Sequence, residues 1–120
     1  MTRYAFPYGA FCVEQIPNQP QVAHCHSFFV FDSERGKGLG KLLKAKQCEV
    51  LRSLGYDFAT CTTAGDNIRQ HRVLEASGWA RIAEFANKQS GGTTILWGWQ
   101  VSPPVQRTAS TTEHPEWEAA

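Results

Sequence analysis

A chain of 120 residues has room for one domain and not for two, and a domain of that size buries only about 60–70% of its unfolded surface. Its 42% hydrophobic and 12% aromatic content excludes a disordered chain, and no apolar run nears the roughly 20 residues of a membrane span. The net charge of +1 falls short of a broad nucleic-acid-binding field, yet six of the 12 Lys and Arg residues (Arg35, Lys37, Lys41, Lys44, Lys46 and Arg52) lie within residues 35–52.

Residues 1–13 carry one Arg and are broken by Pro7 and Gly9, which does not make a secretory signal. Residues 8–15 predict a strand, and two prolines with an Asn predict a turn over 16–20. Residues 22–31 are β-branched or aromatic and end in an apolar run, the pattern of a strand buried on both faces. A polar, glycine-rich loop follows over 32–40. From Leu39 the apolar positions 39, 42, 43, 50, 51 and 54 predict a helix with its lysines on the solvent face, ended by Gly55. Residues 56–63 predict a third strand. Asp66 or Asn67 caps a second helix that stops at Gly78. Strands over 79–86 and 93–101, joined through Gly91-Gly92, complete the domain. Residues 102–120 predict a flexible tail, whose Trp117 reads as a contact with the body. The fold class is therefore α/β, a mixed and mostly antiparallel sheet with two main helices and one strand–helix–strand crossover.

The loop carries the chemistry. Glycines between a strand and a helix N-terminus present backbone N–H groups to an anion, and the helix dipole adds to their pull. Arg35, Lys37 and Lys41 add charge. A Walker A loop would need Gly at 35 and Ser or Thr at 42, where Arg35 and Leu42 stand. The dinucleotide pattern would need Gly at 41, where Lys41 stands. Arg35-Gly36-Lys37-Gly38-Leu39-Gly40 instead fits Arg/Gln-x-x-Gly-x-Gly/Ala in full.

That loop, the preceding Phe28-Phe29-Val30-Phe31-Asp32-Ser33-Glu34, and a helix running from Asn67 to Glu75-Ala76-Ser77-Gly78-Trp79 together resemble the GCN5-related N-acetyltransferase family. The resemblance covers residues 24–101. It implies an acyl-CoA N-acyltransferase fold whose sheet splays open between the strand ending at Phe31 and the strand at 56–63. It also implies acetyl-CoA, or another acyl-CoA, as co-substrate. The diphosphate would rest on residues 35–41 and the pantetheine arm on the backbone of Phe29, Val30 and Phe31, with Asn67 touching the cofactor or ordering its helix. No metal is expected, since Cys25 faces away from His24 and His26 and no carboxylate completes a ligand set.

The sequence departs from the family in two places. Only 23 residues precede His24, fewer than the family's usual strand and two helices need. The acceptor side is therefore expected to be remodelled or supplied by another chain, a homodimer or a partner enzyme. Phe6, Tyr8, Phe11, Trp97 and Trp99 are the candidates for an exposed patch. Many members also place a general-acid Tyr seven residues after the Asn, where this chain has Leu74; losing a positioned acid costs about 10²–10⁴ in rate. His71, one turn earlier, is a candidate substitute.

An amine acceptor needs a base, because deprotonating an alkylammonium near neutral pH costs about 4 kcal/mol. His24 stands eleven residues before Arg35, where histone-modifying members carry a Glu. His26 shares its strand face, and either imidazole can take the proton. Of the thiols Cys12, Cys25, Cys48 and Cys61, Cys61 is the one placed to approach the thioester. Having no C-x-x-C pair, they read as free thiols of a cytoplasmic protein. The expected function is acyl transfer from acyl-CoA to an amine of a small molecule or protein by direct attack. The alternative is an acyl-CoA-binding protein that modulates a partner enzyme. The lysine stretch lacks the interleaved aromatics of a nucleic-acid surface, and no membrane contact is expected.

Overall fold

In the computed structural model, which describes residues 1–102, the chain reverses at Pro7-Tyr8 and then where the sequence places Asn and Gly. The elements are β1 (Thr2–Phe6), β2 (Gly9–Ile16), β3 (Gln19–Val30), a 3₁₀ turn (Asp32–Glu34), α1 (Leu39–Ser53), β4 (Phe58–Ala64), α2 (Ile68–Ala76), β5 (Ala80–Ala86) and β6 (Thr93–Gln100). Asn18 turns β2 into β3 at φ 63°, and Gly55 and Gly78 follow the two helices at φ 80° and 86°. The tail expected beyond Ser102, with Trp117, lies outside the described residues. Ser102 itself is tied to the body, its hydroxyl donating to Asp57 Oδ1 at 3.1 Å.

The strands form one sheet in the order β1-β2-β3-β4-β6-β5. Every pair is antiparallel except β3–β4, which α1 connects. β1 was not expected. It is an edge strand of five residues that turns only Tyr4 and Phe6 toward the core, both half-buried, too short an alternation to mark a strand. It pairs with β2 from Thr2↔Val13 to Phe6↔Gly9.

The core gathers Phe11, Leu43, Leu51, Leu74, Trp79 and Trp97 between the sheet and the helices. Two members of the expected exposed patch belong to it instead. Phe11 and Trp97 have no accessible surface, and Trp97 Nε1 donates to Thr63 Oγ1 at 2.9 Å. The apolar end of β3 is also not buried on both faces: Phe29 is exposed and Phe28 and Val30 are half-buried. The cause is the neighbouring strand, which leaves β3 part-way along its length.

Candidate functional site

β3 and β4 stay in register for three residues only, Val22↔Phe58, Ala23↔Ala59 and His24↔Thr60. Beyond His24 both strands continue, β3 to Val30 and β4 to Ala64, without pairing to each other. A β-bulge marks the parting. Ala10 pairs with Phe29 and Cys12 with His26, which leaves Ser27 and Phe28 opposite the single residue Phe11. Ser27 has φ 56°, a left-handed conformation that a non-glycine residue adopts only under constraint. Bulges of this kind bend a strand and re-aim its side chains. The result is a cleft between two strands of one sheet, about 260 Å³ in volume. Its walls include Cys25 and Phe28 of β3, Cys61 and Thr63 of β4, and Lys44 and Gln47 of α1.

The glycine loop lies at the C-terminal end of β3, where α1 begins. Gly38 is the N-cap of α1 at φ 73°, with no side chain capping the first turn. The unpaired N–H groups of that turn therefore face outward. Gly36 has φ 83°, and a Cβ built at either glycine meets nothing within 4 Å. The arrangement is an open backbone cradle, which fits a diphosphate. Arg35 pairs with Asp32 (3.3 Å) and Lys37 with Glu34 (2.8 Å) in exposed ion pairs. Such pairs are worth little in water, so both cations can be recruited by an anion. Asn67 lies across the cleft as the N-cap of α2, its Oδ1 accepting from Gln70 N–H at 3.3 Å.

By strand alternation His24 and His26 point away from Cys25, yet His26 still borders the cleft and His24 does not. His24 Nδ1 lies 2.8 Å from Thr60 Oγ1, at the point where the strands part. His26 approaches Glu14 at 3.4 Å and Ser27 at 2.9 Å, and the two imidazoles stack at 6.2 Å. Burial and the neighbouring His26 hold the pKa of His24 below the ordinary 6.5, with Glu14 opposing them.

His71 is buried and does not line the cleft. Its Nε2 is 2.9 Å from Ala64 O, and a carbonyl can only accept, so Nε2 carries the proton. Nδ1 then accepts from Arg81 at 3.4 Å. Both nitrogens of His71 are thus occupied. Leu74 is fully buried in the core.

Lys44 corrects the reading of α1. It was expected on the solvent face with the other lysines, but only 1% of its surface is accessible. Its ammonium sits 4.3 Å from the centre of the Phe28 ring and 4.7 Å from that of Trp79, and donates to Gln47 Oε1 at 2.7 Å. The gap in the apolar stripe between Leu43 and Val50 was the available signal. Positions 44, 47 and 48 fill it at helical spacing, with a Lys, a Gln and a Cys. Cys25 lines the cleft together with Cys61, the one thiol the sequence singles out.

All four thiols are free and buried. Burial pushes the Cys25 thiol up to about 12 and raises those of Cys48 and Cys61, while Lys44 pulls the other way. Thiolate is the reactive form. With Cys12 shielded by burial and the other three thiols also held protonated, we expect none of the four to react rapidly with a neutral-pH disulfide reagent in the native protein and all four to react in denaturant; a fast native phase would contradict this placement.

The acetyltransferase (GNAT) family matches residues 7–79. The chain belongs to that family. Among curated proteins no sequence matches. Solved structures supply the fold. Ard1 from Thermoplasma volcanium superposes with a TM-score of 0.70 at 16% identity, over 80% of this chain and 64% of that one. The Salmonella typhimurium protein YncA, solved with acetyl-CoA, gives 0.70 at 16% identity over 85% and 62%. The ribosomal-protein-S18-alanine N-acetyltransferase from Escherichia coli gives 0.69 at 12% identity over 84% and 66%. This GNAT chain thus spans about three-fifths to two-thirds of the length of the structures it matches. Among its described residues, no helix is long and apolar enough to cross a membrane.

Proposed function

We propose that this GNAT domain is an N-acyltransferase, moving an acyl group from acyl-CoA to an amine of a small molecule or protein. The observation that carries the reading is the parting of β3 from β4 after His24, with the uncapped glycine cradle at the cleft's outer end. The cradle residues Arg35 to Lys41 hold the diphosphate. The backbone of Phe29, Val30 and Phe31, freed from any partner on the β4 side, holds the pantetheine arm, and Asn67 orders the facing helix. Acyl-CoA, when bound, supplies a thioester that a neutral amine attacks directly: the N–C bond forms, the C–S bond breaks, and CoA departs having taken up a proton.

His24 serves as the base, with His26 beside it on the same strand face. Its depressed pKa leaves His24 neutral at pH 7 and able to accept the amine's proton. The Thr60 hydroxyl at 2.8 Å fixes the ring. With both nitrogens of His71 occupied, the departing thiolate takes its proton from a group other than His71. The free thiols suit the reducing cytoplasm.

The expected result is a transfer rate that rises with pH and levels off below the ordinary imidazole value of 6.5, because only the neutral ring is active and the ring's pKa is lowered. His24→Ala should remove that limb and lower the rate about 10²–10⁴-fold at pH 7. A pH profile for acetyl-CoA with a polyamine and a peptide α-amine tests this; an unchanged profile in His24→Ala would transfer the role to another group. A second reading, an acyl-CoA-binding protein that modulates a partner enzyme, is favoured by Leu74, which puts an inert side chain where many relatives place an acid. That reading predicts tight CoA binding with no transfer to any amine offered. The apolar exposure of Ile82 and Phe85 on β5 offers a place for a second copy or a host enzyme; sedimentation of the pure protein distinguishes the two.

A further inference from the structure

The cleft contains a buried cation with no anion. Lys44 has no ion-pair partner among the described residues, and the only hydrogen bond of its ammonium goes to the neutral Gln47 Oε1. Gln47 is fully buried, and its Nε2 donor has no partner among the described residues. Both side chains line the cleft. The free valences at this spot are therefore all donors: the remaining ammonium protons of Lys44 and both protons of the Gln47 amide. The flanking groups include no carboxylate: beside the Phe28 and Trp79 ring faces and the thiols of Cys25 and Cys61 stand His26, Thr63, Asn67 and Gln70. A buried ammonium beside an amide N–H₂ that lacks an acceptor is complementary to a carboxylate, which has two oxygens and accepts several hydrogen bonds.

We propose that Lys44 and Gln47 form a carboxylate-recognition site at the floor of the cleft, selecting an acyl-CoA whose acyl chain ends in a carboxylate over one with a plain alkyl chain. The assignment rests on the acyl-CoA reading of the cleft and deepens it. The site lies on the face of β3 that bears Cys25, away from His24, which does not line the cleft, so the charged end of the acyl group and the proton of the attacking amine are handled at different places. Burial lowers the pKa of Lys44, which the three nearby thiols oppose. A bound carboxylate would favour the charged form of Lys44, and the same anion would satisfy the Gln47 amide.

The probes are succinyl-CoA and butyryl-CoA, which have four-carbon acyl chains and differ in the terminal carboxylate. Binding is measured by calorimetry on the full chain, independently of any turnover. The expected result is about 10–100-fold tighter binding of succinyl-CoA, the worth of one or two charge-assisted hydrogen bonds. In Lys44→Met the ratio should fall to near one. Gln47→Leu, a second variant that keeps the charge, should reduce the ratio in part. Equal affinity of the two probes for the wild-type chain overturns the proposal even if both bind well, and leaves the CoA cleft standing. Binding of neither probe, nor of free CoA, overturns both the proposal and the acyl-CoA reading beneath it.

Discussion

Gly38→Glu is expected to lower CoA affinity at least about a hundredfold while leaving the domain folded. Two effects separate at this position. The first is backbone strain: Gly38 holds φ 73° as the N-cap of α1, and a side chain in the left-handed region costs about 1–2 kcal/mol. The substitution meets no steric obstacle in the protein, since a Cβ there finds nothing within 4 Å, so the melting temperature should fall by several degrees only. The second effect is on the ligand. A carboxylate would occupy the space that the open cradle leaves for phosphate oxygens. Like charges about 4 Å apart near a protein surface repel by roughly 4 kcal/mol, which more than accounts for the hundredfold. Gln89→Glu in the exposed β5–β6 connection adds the same charge far from α1 and serves as the control. Calorimetry with CoA and thermal denaturation of the three proteins give the answer. A folded Gly38→Glu chain that binds CoA as the parent does would remove the diphosphate from this loop.

The loop could be read in the sequence because its function depends on backbone conformation, and glycine announces conformation directly. Gly36 and Gly38 do adopt positive φ, Gly55 and Gly78 do end the helices, and Asn67 does cap α2. The cleft was less legible. Its existence depends on where β4 stops pairing with β3, and no residue type encodes that. The bulge behind it is held by Ser27 at φ 56°, a residue that carries no preference for that conformation. β1 is hard to read because its inward residues are only two, Tyr4 and Phe6, both half-buried, in an edge strand of five residues. His71 and Lys44 mark the limit of reading by residue type. A histidine on a helix next to a signature motif suggests chemistry, but the fold ties both its nitrogens to Ala64 and Arg81. A lysine among lysines suggests solvent, but its helical position, one residue after the buried Leu43 and four before Cys48, faces it inward. In both cases periodicity outweighs chemical character, as the burial cost of the alternatives requires.

The Lys44→Met/Gln47→Leu double variant is expected to be more stable than the parent by about 2 kcal/mol at pH 7, the scale found when buried charged groups give way to apolar ones of similar size. The reasoning concerns the ligand-free chain. An ammonium taken out of water loses several kcal/mol of hydration; two ring faces return about 2 kcal/mol or more when desolvated, and one amide oxygen returns about 1.5–3. The unpaired Gln47 Nε2 adds a further penalty of about 1–3 kcal/mol. Replacing only Lys44 would strand the Gln47 oxygen as well, so the single Lys44→Met variant should gain less than the double. The sign of the pH dependence follows from the direction of the shift. The folded pKa of Lys44 is held below its ordinary 10.5 by burial. Its contribution is therefore fully present above 10.5 and is lost as pH falls through the folded value. The parent should gain on the double variant as pH rises toward 10.5, and the roughly 10 °C advantage in melting temperature expected at neutral pH should shrink. Thermal denaturation of both proteins between pH 7 and 10 measures the difference, in which titrations common to the two cancel. A double variant less stable than the parent at pH 7 would mean that the ring faces and the amide satisfy the ammonium within the fold, and the cleft would then have no need of an anion. A more stable variant that has also lost its preference for succinyl-CoA would show that Lys44 and Gln47 are kept at a cost in stability for the ligand they receive.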